Sequence, residues 1–233
     1  MLADIALVIG AYLLGSVPYM LLLARARGVD LSQEVDLHIA MWRKVGRLEG
    51  LSGVIFDIFK GLIPILIGFY CDFRLVVVVS SGLAAVVGQM WPVFRRFDGE
   101  KGNTTGLAMF FILTILYHAY LALVIAAIPV LIGAGIKLIP RASAPGLTVS
   151  ERFDFGGPES RSLPLGMAGG FAVMPLASWF TGQPLEMTLG FVVLFVVIIV
   201  RRLTAGLSAD LKTATSSIGS ILINRFLYDR SYL

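Results

Sequence analysis

Long apolar runs separated by shorter polar segments dominate the chain. Seven such runs lie at residues 3–23, 51–70, 73–92, 104–118, 119–137, 163–180 and 186–200. A helix needs about 20 mainly apolar residues to cross a bilayer, and fewer where the crossing is short or irregular. The stretch 104–137 is too long for one ordinary crossing, so we divide it near His118. The pattern predicts an all-α integral membrane protein with about seven transmembrane helices.

The composition agrees with a membrane protein. Hydrophobic residues make up 57% of the chain and charged residues 15%, with a mean hydropathy of +0.86, whereas soluble domains contain about 25% charged residues. The single cysteine, Cys71, excludes an intramolecular disulfide framework and a cysteine-rich zinc site. No basic run is interleaved with aromatic residues, so we expect no nucleic-acid partner.

The distribution of basic residues predicts how the chain crosses the membrane. With seven crossings, the segments 24–50, 93–103, 137–162 and 201–233 lie on one side and hold 17 of the 19 lysines and arginines. Basic loops favour the cytoplasm. We therefore expect the N-terminus outside, the C-terminus in the cytoplasm, and no cleaved signal peptide, since the first apolar run is too long and lacks a basic flank before it.

The same pattern predicts two parts of unequal size. Residues 1–203 form one polytopic membrane domain, and residues 204–233 form a cytoplasmic tail. The tail is either an amphipathic surface helix near residues 218–227 or a solvated segment.

A glycine-rich stretch at residues 97–106 precedes the fourth span on the predicted cytoplasmic side. Glycines let backbone N–H groups converge on an anion, a helix N-terminus adds positive potential, and a lysine adds a full charge. The spacing is not that of a Walker A loop. The alternative is an ordinary capping loop with Asn103 or Thr104 as the cap. The candidate phosphate-binding residues here are Gly99, Lys101, Gly102 and Thr104.

Asp57 and Lys60 lie three residues apart in the second span and so share a helix face. Ionisable groups inside a membrane helix are costly and tend to face the protein interior. They either pair with each other or direct Lys60 at a ligand. Ser16 belongs to the Gly15–Pro18 interruption of the first span, where we expect close helix packing or a kink.

Arg43 follows Trp42 in the first cytoplasmic loop and is either an ordinary positive-inside charge or an anion-binding residue. His38 and His118 fall on opposite sides of the predicted topology, so we expect neither a His–His metal site nor a His-based triad. No HExxH or GxSxG motif occurs. We therefore assign no catalytic nucleophile or base, no metal site and no cofactor.

Together these segments resemble the PlsY family, the bacterial acyl-phosphate:glycerol-3-phosphate acyltransferases. The resemblance rests on AYLLGSVP at 11–18, GVDL at 28–31, DIFKG at 57–61, GQMWPVF at 88–94 and GEKG at 99–102. Order and spacing are similar to the family over roughly residues 1–110. Beyond that region, the hydropathy and a basic pair after the last span are similar.

The resemblance implies a multi-pass enzyme of the bacterial inner (plasma) membrane that acts in phospholipid biosynthesis. Such an enzyme transfers a fatty acyl group from acyl-phosphate to the 1-hydroxyl of glycerol 3-phosphate and forms lysophosphatidic acid. An acyl phosphate is already activated, so the protein needs mainly to bind and orient two phosphorylated substrates. The expected partners are these substrates and membrane lipids. The expected phosphate-binding residues are Arg43, Lys60, Gly99, Lys101, Gly102 and Thr104, with Ser16 and Asp57 in support.

The chain also differs from the family pattern. Residues 32–40 lack the glycines and asparagines of the family's first phosphate motif and contain Glu34 and Asp36, Glu100 replaces a glycine, and 201–205 lack a histidine and an asparagine. A carboxylate about 4 Å from a phosphate costs roughly 4 kcal/mol at an effective dielectric of about 20. Two alternatives therefore remain beside acyl transfer. One is a catalytically degenerate relative that serves as a lipid- or partner-binding membrane scaffold. The other is a small transporter, which the absence of a sequence repeat disfavours.

Overall fold

The structure, a computed structural model, describes the chain apart from residues 33, 35, 147–160, 214–216 and 230–233. The described residues contain helices and no strand. The helices are α1 (Leu2–Gly15), α2 (Tyr19–Ala26), α3 (Leu37–Ala40), α4 (Arg47–Tyr70), α5 (Leu75–Met90), α6 (Asn103–Leu116), α7 (Tyr120–Ala142), α8 (Ser162–Phe180), α9 (Leu185–Thr204), α10 (Leu207–Thr213) and α11 (Ile218–Tyr228). A π-helical turn at Met41–Val45 and a 3₁₀ turn at Val93–Arg95 complete the regular structure.

Five helices in the described part of the chain are long and apolar enough to cross a membrane: α4, α5, α7, α8 and α9. The pair α1 and α2, bent by 40° at its break, makes a sixth candidate. α6 has 14 residues and is therefore about 21 Å long, short of a hydrocarbon core of about 30 Å. Every predicted span is thus occupied by helix, and the prediction of an all-α integral membrane protein is confirmed. The orientation of the termini stays a prediction.

α7 has an apolar and exposed surface. Leu131, Ile132 and Ile136 are 67%, 57% and 62% exposed. Water-soluble monomers rarely expose contiguous apolar patches of this kind. Such a surface is suited to contact with lipid chains.

The chain forms two compact units. Of the described residues, the first comprises those within 1–109 together with 145 and 146, and the second comprises those within 110–144 and 161–229. The division falls inside α6. The predicted boundary at residue 203 stays a prediction.

In the first unit, α1 and α5 approach each other at glycines. A Cβ on Gly15 would lie 2.1 Å from the carbonyl oxygen of Ala85, and a Cβ on Gly88 would lie 2.2 Å from that of Tyr12. Any larger residue at either position would push the two backbones apart. The close packing expected at the interruption of the first span is therefore present, together with a bend.

The N-terminal ends of α1 and α5 also meet. A guanidinium nitrogen of Arg74 lies 3.0 Å from a carboxylate oxygen of Asp4. Since each residue lies at the start of its helix or just before it, the two helices run in the same direction. The predicted topology requires this, because the first and third spans both cross from outside to inside.

The first predicted cytoplasmic loop is a packed element. Seven buried apolar residues from α2, the following segment, α3 and the π-helical turn form one cluster: Met20, Leu21, Ala24, Leu31, Leu37, Ala40 and Met41. This cluster fixes α3 beside α2 and so determines where His38 lies.

The second unit is built on close contact between α7 and α8. A Cβ on Gly133 would lie 2.5 Å from the carbonyl oxygen of Ser162, and one on Gly166 would lie 2.6 Å from that of Pro129. Glycine at both positions lets the helices pack along their length, as small residues do in membrane bundles.

Two buried arginines hold the tail helix α11 in the second unit: Arg225 on α11 donates to the carbonyl oxygen of Ala205, and Arg202 reaches α11 from α9. Arg202 donates from Nε to the carbonyl oxygen of Arg225 at 3.0 Å, and from its terminal nitrogens to those of Leu227 and Pro164 at 3.1 Å. A helix thus occupies the place where the sequence left a surface helix and a solvated tail as alternatives.

Candidate functional site

A cavity of about 250 Å³, open space included, lies within the first unit. The break between α1 and α2, the middle of α4, the end of α5 and the segment between α5 and α6 surround it. Its lining residues are Gly15, Ser16, Val17, Pro18, Leu21, Leu37, Lys60, Gln89, Pro92, Arg95, Gly99 and Glu100.

The helix break forms one wall. α1 ends at Gly15 and α2 begins at Tyr19, after Pro18, which has no N–H to continue the helix. The backbone of residues 15–18 therefore turns toward the cavity. Ser16 lines it, but its hydroxyl donates to the carbonyl oxygen of Tyr12 at 2.8 Å. Its visible contact is thus to the protein's own backbone, which fits the supporting role assigned to it.

Lys60 brings a buried positive charge to the cavity. Its Nζ lies 3.0 Å from Oδ1 of Asp57, and the two side chains are 3% and 2% exposed. The ammonium also lies 5.3 Å from the centre of the Phe56 ring. The pairing alternative is therefore present in the structure, and Lys60 also lines the cavity. Its contact with a ligand stays a prediction. A buried charge is tolerated where it is paired in this way.

The glycine-rich loop forms the opposite wall with a geometry that differs from the prediction. The N–H of Gly99 donates to the carbonyl oxygen of Met90, and the N–H of Glu100 donates to that of Gln89, each at 3.1 Å. These two N–H groups satisfy carbonyls left open at the end of α5, and a phosphate-binding role of Gly99 stays a prediction. Gly99 is required for this contact, because a Cβ there would lie 2.1 Å from the Gln89 carbonyl oxygen.

The start of α6 also differs from the capping alternative. Gly102 has a φ of +72°, and the helix begins directly after it, so Asn103 and Thr104 lie in its first turn and do not precede it. Lys101 and Thr104 are half-buried. The residue that ties α6 to its neighbours is Thr105, which is buried and donates to the carbonyl oxygen of Asp57 at 2.9 Å.

Thr105 also contacts the side-chain oxygen of Gln89. The sequence did not distinguish Thr105 from the adjacent Thr104. Which of the two faces the neighbouring helices depends on where α6 begins, and this is known only from the structure. Its partner Gln89 lies in the GQMWPVF motif, so the motif itself was the available indication.

The cations at the cavity differ in part from those expected. Lys60 and Arg95 line it, whereas Arg43 lies on the π-helical turn and is exposed. Arg95 was counted only as a positive-inside charge, since nothing in its sequence surroundings distinguishes it. The binding roles of Arg43, Lys101, Gly102 and Thr104 stay predictions.

The two acidic residues of the first loop are engaged elsewhere. Nζ of Lys44 lies 2.5 Å from a carboxylate oxygen of Glu34. Asp36 accepts a hydrogen bond from the N–H of Ile39 at 3.1 Å and caps α3. The carboxylate that actually faces the cavity is that of Glu100.

His38 joins two carboxylates behind the cavity wall. Its Nε2 lies 3.2 Å from Oδ2 of Asp57 and 3.5 Å from Oε2 of Glu100. Within the described part of the chain, Asp57 Oδ2 and His38 Nδ1 are buried atoms without a hydrogen-bond partner. The sequence analysis compares His38 only with His118 and so does not predict this cluster. A histidine in the first loop and a glutamate in the glycine motif were its visible indications.

The charges in this cluster shift the ionisation of the two groups outside the transmembrane spans. Burial lowers the pKa of His38, but the neighbouring Asp57 and Glu100 carboxylates outweigh it and raise that pKa to about 9. Burial raises the pKa of Glu100 to about 7, with Asp57 adding to the shift and the positive charges of His38 and Lys60 opposing it. The cluster therefore binds positive charge strongly.

Comparison with known proteins was made over the whole chain. Residues 5–150 match the family model described as glycerol-3-phosphate acyltransferase. A glycerol-3-phosphate acyltransferase of Geotalea daltonii is 44% identical over 113 residues, which are 47% of this chain and 58% of that relative. Glycerol-3-phosphate acyltransferase 4 of Dehalococcoides mccartyi is 30% identical over 229 residues, which cover 94% of this chain and 85% of the relative.

The fold agrees with these matches. The crystal structure of PlsY, an integral membrane glycerol 3-phosphate acyltransferase, in its glycerol 3-phosphate form superposes with a TM-score of 0.64 at 26% identity. The superposition covers 91% of this chain and 92% of PlsY. Because sequence and fold agree over nearly the whole chain, the protein belongs to the glycerol-3-phosphate acyltransferase (PlsY) family.

Proposed function

We propose that this protein transfers a fatty acyl group from acyl-phosphate to the 1-hydroxyl of glycerol 3-phosphate and releases lysophosphatidic acid. The reaction takes place at the cytoplasmic face of a bacterial inner membrane. The proposal uses the family membership together with a site in the first unit, and the match to the Geotalea relative spans only 58% of that protein.

The observation that carries the proposal is a buried lysine at the wall of a cavity. Lys60 is 3% exposed and shares the cavity with Arg95. Two positive groups at a site shielded from water attract phosphate more strongly than exposed charges do. Lys101 follows two residues after Gly99 in the same loop, and we propose it as a third positive charge for the site.

The chemistry proposed for the site needs positioning more than it needs a nucleophile. The acyl phosphate supplies the activated carbonyl and a good leaving group. The protein contributes by holding the acceptor hydroxyl near that carbonyl and by stabilising negative charge on the departing phosphate with Lys60, Arg95 and Lys101. The bond from the carbonyl carbon to the phosphate oxygen breaks as the new ester bond forms, and the proton of the acceptor hydroxyl leaves with the departing phosphate.

The test is acyl transfer by the purified full-length protein in lipid, with palmitoyl-phosphate and labelled glycerol 3-phosphate. The informative variant is Lys101→Ala. Lys212→Ala is its matched control, since Lys212 is an exposed lysine on α10, far along the chain from the site.

We expect labelled lysophosphatidic acid from the unaltered protein and from Lys212→Ala. We expect a loss of at least about a hundredfold in kcat/KM from Lys101→Ala, in the range found when one charge-stabilising donor is removed. Full activity of Lys101→Ala would show that the lysine of the glycine-rich stretch at residues 97–106 is not needed to bind or stabilise phosphate. Absence of product from correctly folded protein would favour the scaffold alternative.

A further inference from the structure

Three potential metal ligands converge at the cluster behind the cavity. His38 Nε2 lies 3.2 Å from Asp57 Oδ2 and 3.5 Å from Glu100 Oε2. One ligand atom from each of the three side chains lies within 4.8 Å of the other two. The residues come from α3, α4 and the loop before α6, so packing of the first unit brings them together.

The two separations from His38 are compatible with a shared metal ion as well as with ion pairs. Ligand atoms about 2.0–2.2 Å from a tetrahedral zinc ion lie about 3.4 Å from one another, and the two measured separations are 3.2 and 3.5 Å. Asp57 Oδ2 is buried and, among the described residues, has no hydrogen-bond partner despite the nearby imidazole. A buried acceptor oxygen without a hydrogen-bond donor costs free energy unless another group, such as a metal ion, satisfies it.

Lys60 orients the Asp57 carboxylate so that its other oxygen can act as a metal ligand. Its Nζ holds Oδ1 of the carboxylate at 3.0 Å, which leaves Oδ2 directed to His38. Ligating carboxylates are commonly oriented by a second contact of this kind. Metal binding displaces the proton of His38, and the two carboxylates and the one ammonium then leave a net charge of −1, which suits a cation.

We infer that His38, Asp57 and Glu100 form a binding site for one divalent transition-metal ion. An imidazole combined with two carboxylates selects first-row divalent ions over magnesium or calcium, which prefer oxygen ligands alone. Zn²⁺ is the ion of choice as a probe, since it takes these ligand types at these separations. Three protein ligands leave at least one position for water or for an oxygen of another molecule. The inference departs from the sequence analysis, which assigned no metal.

A metal ion here would change the charge of the cavity wall. Glu100 lines the cavity as well as the cluster, and its negative charge opposes binding of a phosphorylated substrate. A divalent cation on the other side of that carboxylate reverses the sign of the local charge. This consequence rests on the proposed function, whereas metal binding itself does not.

The experiment measures zinc bound by the purified full-length protein after the affinity tag is removed, because a histidine tag would bind the ion itself. The protein is equilibrated with Zn²⁺ in detergent, dialysed, and analysed for zinc per chain. Replacement by Co²⁺ gives visible d–d absorption whose intensity reports the coordination geometry, independently of any activity.

The chain offers a matched control for each informative variant. It contains two histidines, so His118→Ala controls for His38→Ala. Glu49→Gln controls for Glu100→Gln, since Glu49 pairs with Arg27 outside the cluster and its side chain is 19% exposed, against 20% for Glu100. Glu100→Gln also keeps the shape of the side chain, so it decides the question if His38→Ala fails to fold.

We expect about one zinc ion per chain in the unaltered protein, in His118→Ala and in Glu49→Gln. We expect His38→Ala and Glu100→Gln to weaken zinc binding by more than about a hundredfold, beyond the loss that outer-sphere partners give. The inference is overturned if the unaltered protein retains no zinc, or if the cluster variants retain as much as their controls. Either result is independent of acyl transfer, so the two proposals fail separately.

Discussion

Nε2 of His38 lies 3.5 Å from Oε2 of Glu100, and both residues stand where this chain differs from the PlsY pattern. Glu100 places a carboxylate at the cavity, and His38 carries a group whose pKa is raised to about 9 by that carboxylate and by Asp57. The two differences therefore compensate each other electrostatically within one cluster. An acidic residue in the glycine motif is therefore compatible with the proposed binding of phosphorylated substrates.

A nearby opposite charge also neutralises Glu34, so we expect Glu34 to be unimportant for substrate binding. Its carboxylate contacts Lys44 at 2.5 Å, so its charge is largely neutralised there. We predict that Glu34→Gln changes the KM for glycerol 3-phosphate by less than about twofold, since the residual interaction of a paired, solvent-screened charge is below about 0.5 kcal/mol. Steady-state acyl transfer measures it. A tenfold fall in KM would mean that Glu34 repels the substrate phosphate.

The buried pair of Lys60 and Asp57 is required for stability. Lys60→Met leaves Asp57 charged in a site that is 2% exposed. We predict a loss of about 3 kcal/mol in the free energy of unfolding, the lower end of the range for breaking a buried pair, because His38 still lies near the carboxylate. Denaturant titration in detergent measures this.

The control for this prediction is the double variant Lys60→Met with Asp57→Asn, which removes both charges. It should recover most of the lost stability, since replacing a buried pair by neutral groups is often close to neutral. Equal losses in the single and double variants would show that packing of the lysine stem, and not its charge, is the source of the effect.

The hydropathy pattern predicted the helices because membrane insertion depends on length and apolarity, which are local properties. The two halves of the 104–137 stretch became α6 and α7, divided at residues 117–119. The site was predicted less completely. Lys60 and Gly99 were found because one is a charge in a span and the other a glycine before a helix.

Other parts of the site depend on tertiary packing. Arg95 and Thr105 reach the site region, and His38 meets Glu100, only because α3 and the loop before α6 pack beside α4. The local sequence around each of these residues does not indicate which residue it will contact in the fold. The backbone bonds of Gly99 and Glu100 to the end of α5 could not be predicted either, since they depend on where α5 ends.

The contact between α1 and α5 is the most sensitive packing site in the first unit. A Cβ on Gly15 would lie 2.1 Å from a backbone oxygen of α5, and backbone cannot move aside as a side chain can. We predict that Gly15→Ala lowers the free energy of unfolding by about 1–3 kcal/mol, as other overpacking changes do.

Gly10→Ala on the same helix is the matched control. A Cβ on Gly10 meets nothing within 4 Å, so the change should be neutral or stabilise the protein by up to about 1 kcal/mol. Thermal unfolding of both variants under identical detergent conditions makes the comparison. Similar losses in the two would mean that helix packing at Gly15 is not tight.

The buried Arg202 side chain holds the tail helix. It donates to carbonyl oxygens of both Arg225 and Leu227 in α11 and to that of Pro164 in α8. We predict that Arg202→Ala speeds amide hydrogen exchange in residues 218–228 by about tenfold or more, since charge-assisted hydrogen bonds contribute about 1.5–3 kcal/mol each. Hydrogen-exchange mass spectrometry measures this segment directly.

The expected change is local. Exchange in α4 and α5 should stay as it is in the unaltered protein, and an exposed arginine such as Arg47 supplies the control variant Arg47→Ala. Unchanged protection of residues 218–228 in Arg202→Ala would show that the hydrogen bonds of Arg225 and the apolar contacts of Ile221, which is 2% exposed, hold the helix without Arg202.

The predicted topology has a direct test in the single cysteine. Cys71 follows α4 and is exposed, and the predicted orientation puts it outside. A membrane-impermeant maleimide should therefore label it in intact cells. In a second variant, Cys71→Ser with Ser143→Cys, the introduced thiol follows α7 on the predicted cytoplasmic side, so it should react only after the membrane is opened.

The outcome depends on whether α6 crosses the membrane. This helix has 14 residues, and a crossing of that length requires local thinning of the bilayer or shielding by neighbouring helices. If α6 does not cross, α7 still does, and its end at residue 142 then lies outside. Labelling of both thiols in intact cells would thus show that α6 does not cross the membrane. The predicted cytoplasmic placement of residues 138–162 would then be wrong as well. Labelling of Cys71 alone would establish that α6 and α7 form a transmembrane hairpin.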